Sequence, residues 1–225
     1  KDAANGGRHP LPEVRDFVKT LSELGISKDS HVVVYDDVNG ANSAARLWWM
    51  LRSIGHEKVQ VLNGGFQTAV KNGFPTNDKV VLPNKVETYL ANKWLLPMAT
   101  IEEVEAISKM EDHTVIDVRE SYRYRGESEP IDPLAGHIPG AINIPLANNL
   151  DENGLFRSPK DLRKQYESIL QNKSADHTII HCGSGVTACH TILAMDYAGL
   201  EIPKLYVGSW SEWCRNDKEI GVDKK

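Results

Sequence analysis

The sequence predicts an α/β fold made of two tandem copies of one domain, each a parallel sheet flanked by helices, with the N-terminal part of the first copy missing. Three observations carry this reading. A strand, a helix ending at glycine and a second strand ending at glycine occur twice in the same order. The closing intervals agree, since Gly55 to Gly64 is nine residues and Gly199 to Gly208 is also nine. The second copy also has upstream elements for which the first has no room: Asp117 precedes Cys182 by 65 residues, whereas Asp36, the position matching Cys182, stands only 35 residues from the first.

In the first copy, His31-Val32-Val33-Val34-Tyr35 reads as a strand, Ser43 to Ile54 as a helix stopped by Gly55, and Val59 to Leu62 as a strand ending at Asn63-Gly64-Gly65. Prolines bound the segment from Pro83 to Pro97, which is expected to be a linker that also packs on a domain face. The expected divisions are residues 1–83, a linker at 84–97, and 98–225. In the second copy Thr100 and Glu103 form a capping box for a helix from Ile101 to Ile107, followed by a strand Thr114 to Val118 and the turn Gly136-His137-Ile138-Pro139-Gly140-Ala141. A strand Thr178 to His181, a helix Thr187 to Tyr197 and a strand Lys204 to Val207 complete it. The first copy is short by at least 30 residues, so the chain is expected to be a piece of a longer protein.

With 225 residues and 40% hydrophobic content, the chain can bury substantial cores. Its 26 Lys and Arg against 31 Asp and Glu give a net charge of −5, with no basic tract interleaved with aromatics, which argues against nucleic acid as a partner. No apolar run approaches membrane-spanning length, and no membrane partner is expected. Cys182, Cys189 and Cys214 cannot all pair within the chain and lack the spacing of a zinc site or a dithiol redox motif. The expectation is therefore no metal, no cofactor, and a reducing, cytoplasmic location. The first residues lack the apolar core of a signal peptide, although a segment removed earlier would leave no trace.

Cys182 falls between a buried strand and the start of a helix, inside the loop Cys182-Gly183-Ser184-Gly185-Val186-Thr187-Ala188. Amides at a helix start lack intrahelical partners and carry partial positive charge, so an anionic sulfur or substrate is favoured there. Gly183 and Gly185 allow the backbone to curl around the sulfur, so that the loop, with Val186 and Thr187, can turn its amides inward. In a parallel sheet the ligand site lies outside the carboxyl ends of the strands. That rule gathers the loops after Val118, His181 and Val207. The first brings Arg119, Arg123 and Arg125 as cations for a small anionic substrate, with ion pairing as the alternative for each. The last brings Trp210 and Trp213 as core or pocket wall.

Taken together, the Gly-His-Ile-Pro-Gly-Ala turn at 136–141, the Ala-Arg-Leu-Trp-Trp-Met-Leu-Arg helix at 45–52 and the Gly-Ser-Trp-Ser-Glu-Trp segment at 208–213 resemble the two-domain rhodanese family of sulfurtransferases over almost the whole chain. The Cys182 loop is similar to that of the members using 3-mercaptopyruvate, whereas the thiosulfate-using members carry basic residues directly after the cysteine. The resemblance implies two tandem rhodanese-like domains and a double displacement. In it, Cys182 takes a sulfur atom as a persulfide, pyruvate leaves, and a thiol acceptor such as thioredoxin or a small thiol, or cyanide, accepts the sulfur. It also implies that Ser184 and His9 form a proton relay with an acid upstream of residue 1, and that Arg123 binds the donor carboxylate. The family's second such arginine would fall near Ile131, where this sequence departs; Arg119 either replaces it or is a structural partner of Asp117 or Glu120. Asp36 cannot form a persulfide, so the first copy is expected to be catalytically silent. His137 and Cys189 are read as structural.

Thiosulfate as the main donor is the nearest alternative, and a non-catalytic binding module the next. A cysteine phosphatase would need an arginine six residues after the cysteine, where Ala188 stands.

Overall fold

A computed structural model describes residues 2–223 and divides the chain into two compact units, one of residues 11–96 and one combining 1–10 with 97–225.

The unit of residues 11–96 contains α1 (Val14–Glu23), β1 (Val32–Val34), α2 (Ser43–Ser53), β2 (Val59–Val61) and α3 (Gly65–Lys71). The strands pair in parallel, with Val32 opposite Val59 and Val34 opposite Val61. The sequence reading had not assigned α1 or α3. Phe17, Val18 and Leu21 give α1 a buried stripe. On α2, Ala44, Ala45, Trp48, Trp49 and Leu51 are buried, and Trp49 faces Trp94 at 6.3 Å. Trp94 belongs to the segment expected as a linker, and Tyr89 of the same segment is buried with its hydroxyl 2.9 Å from His56 Nδ1.

In this unit the loop between β1 and α2 is closed around one carboxylate. Asp36 Oδ1 accepts the amides of Val38 and Gly40 at 3.0 and 2.7 Å, and Oδ2 accepts those of Asn42 and Ala44 at 3.0 and 3.2 Å. Burial opposes the charge, but these four backbone donors outweigh it and hold the carboxyl below its ordinary range.

The other unit contains β3 (Met98–Ala99), α4 (Ile101–Ile107), β4 (Thr114–Asp117), α5 (Ser121–Tyr124), β5 (Ile142–Asn143), α6 (Pro159–Leu170), β6 (Thr178–His181), α7 (Ala188–Tyr197), β7 (Lys204–Tyr206) and α8 (Ser209–Trp213). Its sheet has the order β3-β7-β6-β4-β5, with every pairing parallel. All residues of β4 and β6 are buried, as expected of central strands covered on both faces. The register sets Asp117 opposite His181, so both strands end level and Cys182 follows directly. Thr100 caps α4 by accepting the Glu103 amide at 3.3 Å. The sequence reading had missed α6, although Ser158 accepts the Asp161 amide, Pro159 occupies its first turn, and Leu162, Tyr166 and Leu170 form its buried face.

The turn at 136–141 is held by backbone geometry that excludes side chains at two places. Gly136 has φ +130° and Gly140 φ +86°, and a Cβ on Gly140 would collide with the Ser108 carbonyl. His137 stacks on Tyr124 at 4.0 Å, with Nδ1 2.8 Å from the Tyr124 carbonyl, which is a structural role.

Replacing Asp36 by alanine should destabilise the 11–96 unit by about 1–2 kcal/mol at neutral pH, the cost of losing a helix-start acceptor. Because the folded carboxyl titrates below its ordinary value, its contribution is complete above about pH 4 and disappears as pH falls through the folded value. Urea denaturation of the chain and its Asp36→Ala variant, repeated from neutral into acid pH, should show the gap closing. A gap that stays constant on acidification would contradict the role given to the carboxylate.

Candidate active site

Cys182 lies at the carboxyl end of β6, 1% exposed, and its backbone is clamped from the segment after β7. Its amide donates to Ser209 Oγ at 3.2 Å, and its carbonyl accepts from Trp210 N at 3.0 Å. The next carbonyl, of Gly183, accepts from Ser211 N at 2.8 Å. Ser209 adopts φ +54° to make this clamp, an uncommon conformation for a residue with a Cβ, and its hydroxyl is fixed by donation to the Tyr206 carbonyl at 2.8 Å. Sequence reasoning gave these serines no role, and nothing in their spacing announces one.

The glycines of the loop act differently from each other. Gly185 has φ +72°, and a Cβ there would collide with the Val207 carbonyl at the end of β7. Gly183 is not in the left-handed region, so the curl expected there is not what it provides. A Cβ on Gly183 would instead stand 3.4 Å from Arg123 Nη2 and 3.5 Å from Arg8 Nη2. The amides of Gly183, Ser184, Val186, Thr187 and Ala188 meet no acceptor among the described residues. In the matching loop of the other unit, Asp36 takes up four amides with its own carboxylate. The Cys182 loop thus offers donors to an anion that the Asp36 loop satisfies internally.

Ser184 is buried, and its Oγ lies 2.8 Å from His9 Nδ1. His9 reaches it because the N-terminal segment is laid against α8. Gly6 N donates to Glu212 Oε1 at 2.7 Å, Arg8 N to Ser211 Oγ at 3.0 Å, and the Ala4 carbonyl accepts from Asn216 Nδ2 at 3.0 Å. Gly7, with φ +76°, lies so close to the Gly208 carbonyl that no side chain fits.

The three arginines after β4 separate. Arg125 pairs with Glu127 at the surface at 2.8 Å. Arg119 is buried and bound through all three nitrogens: Nε and Nη2 donate to Asp117, Nη2 also to the Gly136 carbonyl at 2.7 Å, and Nη1 to Glu129 at 3.2 Å. Its guanidinium also lies 4.7 Å from the centre of the buried Trp210 ring. The geometry therefore supports the partner role for Arg119, whose guanidinium is buried and places four of its five N–H donors on protein acceptors. Burial pushes the Asp117 carboxyl up, but His181 and the Arg119 guanidinium prevail and hold it below its ordinary range. Burial also holds the His181 ring below its ordinary range, against the opposing pull of Asp117.

Arg123 is buried with Nε and Nη2 on Glu129 at 3.0 and 2.7 Å. Burial opposes its charge, and Glu129, Glu120 and Asp132 outweigh that and raise its pKa. Nη1 makes no hydrogen bond among the described residues; Glu120, its nearest carboxylate, is 3.7 Å away. Glu129, 2% exposed at its side chain, links both arginines and also accepts the amides of Ile131 and Asp132 at 3.1 and 3.2 Å. Cys189 is buried, with Sγ 3.4 Å from the Gly185 carbonyl, consistent with packing.

A family model for the rhodanese-like domain matches residues 3–71 and 100–216. The chain belongs to the rhodanese-like family. It is 40% identical to a probable 3-mercaptopyruvate sulfurtransferase of Pseudomonas aeruginosa over 92% of this chain and 72% of that protein. It is also 40% identical to the thiosulfate sulfurtransferase of Rattus norvegicus over 91% of this chain and 70% of that one. Among solved structures, the 3-mercaptopyruvate sulfurtransferase of Leishmania major matches with TM-score 0.79 and 31% identity. That match covers 93% of this chain but only 58% of the Leishmania chain, so this chain spans less than two thirds of it. Rhodanese-like domains with parallel sheets flanked by helices are what the sequence led one to expect.

One described group brings three possible metal-ligand atoms together, Asp112, His113 and His177. It adjoins the first residues of β4 and β6, at the opposite strand ends from Cys182. No helix among the described residues is long and apolar enough to cross a membrane.

Removing Arg119 would leave Asp117 as a buried carboxylate without its partner, so Arg119→Ala should cost about 3–5 kcal/mol in urea denaturation. Adding Asp117→Asn should recover part of that loss, because the uncompensated charge disappears. Strictly additive losses would show that the two do not act as a pair.

Proposed function

We propose that this rhodanese-family chain is a sulfurtransferase that takes sulfur from 3-mercaptopyruvate through a Cys182 persulfide, releases pyruvate, and passes the sulfur to a thiol acceptor or cyanide. The observation that carries the reading is a cysteine at a strand end within a loop of unaccepted amides, next to a serine hydrogen-bonded to histidine. Both named activities among the relatives, with mercaptopyruvate and with thiosulfate, fit this class of reaction.

In the first half-reaction the Cys182 thiolate attacks the donor sulfur and a new S–S bond forms. The donor C–S bond breaks, and its electron pair leaves on the pyruvate enolate. The proton of the donor thiol ends on the enolate carbon, giving pyruvate and a cysteine persulfide. The 2.8 Å contact between His9 and Ser184 supports a relay for that proton. Loop amides are suited to the negative charge on sulfur before and after transfer. In the second half-reaction a thiolate takes the outer sulfur and the Cys182 thiolate returns. Thioredoxin and small thiols are the acceptors proposed, and the cytoplasm the location.

The donor assignment follows from charge. The side chains of residues 183–188 carry none, whereas thiosulfate, a dianion, would gain from cations in the loop itself. Mercaptopyruvate has a single carboxylate, which arginine can hold at a distance from the sulfur.

Incubation of the chain with mercaptopyruvate or thiosulfate, followed by intact-protein mass spectrometry, should show the mass of one sulfur atom added at Cys182, faster with mercaptopyruvate. A Cys182→Ser variant that transfers sulfur equally well would sink the proposal. Faster loading by thiosulfate would select the alternative donor. Arg123→Ala should impair loading from mercaptopyruvate by about tenfold or more while leaving loading from a neutral alkyl persulfide nearly intact. Equal impairment with both donors would assign Arg123 to structure alone.

A further inference from the structure

We infer that Asp112, His113 and His177 form a site for a divalent transition-metal ion such as zinc, which ties the start of β4 to the start of β6. The inference is independent of the sulfur chemistry, because the site stands at the amino ends of these strands and Cys182 follows the carboxyl end of β6. It begins with strand register. Thr114 lies opposite Thr178 in the parallel pair of β4 and β6, and His113 and His177 are the residues just before them. Two imidazoles are thereby brought side by side, with ring centres 4.3 Å apart and planes 19° from parallel. Asp112, next to His113 in the chain, adds a carboxylate. One ligand atom from each of the three lies within 4.8 Å of the other two, and no other such group of histidine, cysteine or acidic side chains occurs among the described residues. The sequence expectation of no metal rested on cysteine spacing, and these ligands include no cysteine. Spacing carries no sign of them, because 64 residues separate the two histidines.

The donor set decides the class of ion. Two imidazole nitrogens and a carboxylate suit zinc or copper, whereas magnesium and calcium take oxygen ligands. The contacts already made hold the donors at spacings that the ligands of one ion adopt. His113 Nδ1 is 2.8 Å from Asp112 Oδ1, and His177 Nδ1 is 3.1 Å from the Asp112 carbonyl. In a tetrahedral shell with bonds of about 2.0–2.2 Å, neighbouring ligand atoms stand about 3–3.5 Å apart, so an ion takes the place of the hydrogens these pairs now share. Coordination by both rings requires them to tilt out of their stack. Asp112 and His177 are exposed and have room to turn, while His113 is partly buried. Glu111 and Lys173 border the same cleft as His113, and their opposite charges offset each other there. Lys173 Nζ is bound to the His113 carbonyl at 3.1 Å and to Thr114 Oγ1 at 3.2 Å. Attraction to the site therefore rests on bonds to nitrogen and carboxylate rather than on net charge, which again favours a transition metal. An ion held there joins the amino ends of two central strands and stabilises the folded chain by mass action.

The test is titration calorimetry with zinc on the full chain carrying Cys182→Ser, which removes the thiolate as a competing ligand, with magnesium as the control ion. One zinc ion should bind per chain and raise its melting temperature, and magnesium should not bind. His177→Gln and His113→Gln, each added to that chain, should weaken zinc binding about tenfold or more. Because His177 is exposed, its variant keeps the test decisive where His113→Gln disturbs folding. Zinc that binds the His177→Gln chain as tightly as its parent would overturn the inference, and so would a Cys182→Ser chain that binds no zinc. Equal affinity for magnesium would also overturn it, since the carboxylate and not the imidazoles would then be the ligand.

Discussion

Everything at the site depends on a buried relay of alternating charges that begins at the end of a central strand. Asp117 closes β4 and holds Arg119; Glu129 links Arg119 to Arg123; Asp132, in the same loop as Glu129, holds Arg8 and Arg215. Each of these charges would cost several kcal/mol to bury alone, so the members are stable only together. Such a network is a weak source of net stability compared with apolar packing, but it is demanding about geometry. Moving one guanidinium leaves its neighbour's carboxylate uncompensated. The loop 129–132 is therefore placed by the strand end rather than by a core of its own, and the N-terminal segment is joined to it through Arg8 while its backbone is held on Ser211, Glu212 and Asn216.

The two loops that follow β1 and β6 answer one electrostatic problem in two ways. Both are backbone turns at the start of a helix, and both gather amides that need an acceptor. In the first, Asp36 supplies two oxygens to four amides, and the loop is complete in itself. In the second, the residue at the corresponding place is Cys182, which offers a single sulfur atom, and five neighbouring amides are left without an acceptor among the described residues. The residue at that one position, carboxylate or thiol, thus goes with a loop whose amides are satisfied from within and one whose amides are not. This gives a physical content to the silence expected of the first copy.

Much of the framework was legible because it is written in local patterns. The central strands are short β-branched runs ended by turn residues, the α4 cap is a direct side-chain-to-amide bond, and the Cys182 loop is a strand–glycine–helix junction. The His9–Ser184 contact came from a family resemblance and not from spacing, since 175 residues separate them. The edge strands β3 and β5 are two residues each and exist only because a neighbour offers a ladder, so no pattern marks them. The helix α6 is a different case, since its Ser-Pro start and fourfold apolar spacing were present to be read. The parts of the site that were illegible are Glu129, Asp132, Ser209 and Arg8. Their roles come from where the chain returns in three dimensions, and an acid or a serine in a loop carries no mark of the partner it will meet.

The division of labour within the site follows from what each kind of donor can distinguish. Backbone amides are fixed dipoles that favour any sulfur anion, so on the proposed chemistry the same loop suits the Cys182 thiolate before transfer and the persulfide after it, with no rearrangement between the halves of the reaction. Being indifferent to the rest of the donor, they cannot select it. Guanidiniums read a carboxylate by charge and planar shape, and the one proposed for this task, Arg123, stands on another element, α5. On the proposed chemistry it engages only the first donor and loses its ligand when pyruvate departs. On the same proposal the acceptor then meets a loop without charged side chains, so selection of the donor would not restrict the thiol that empties the site.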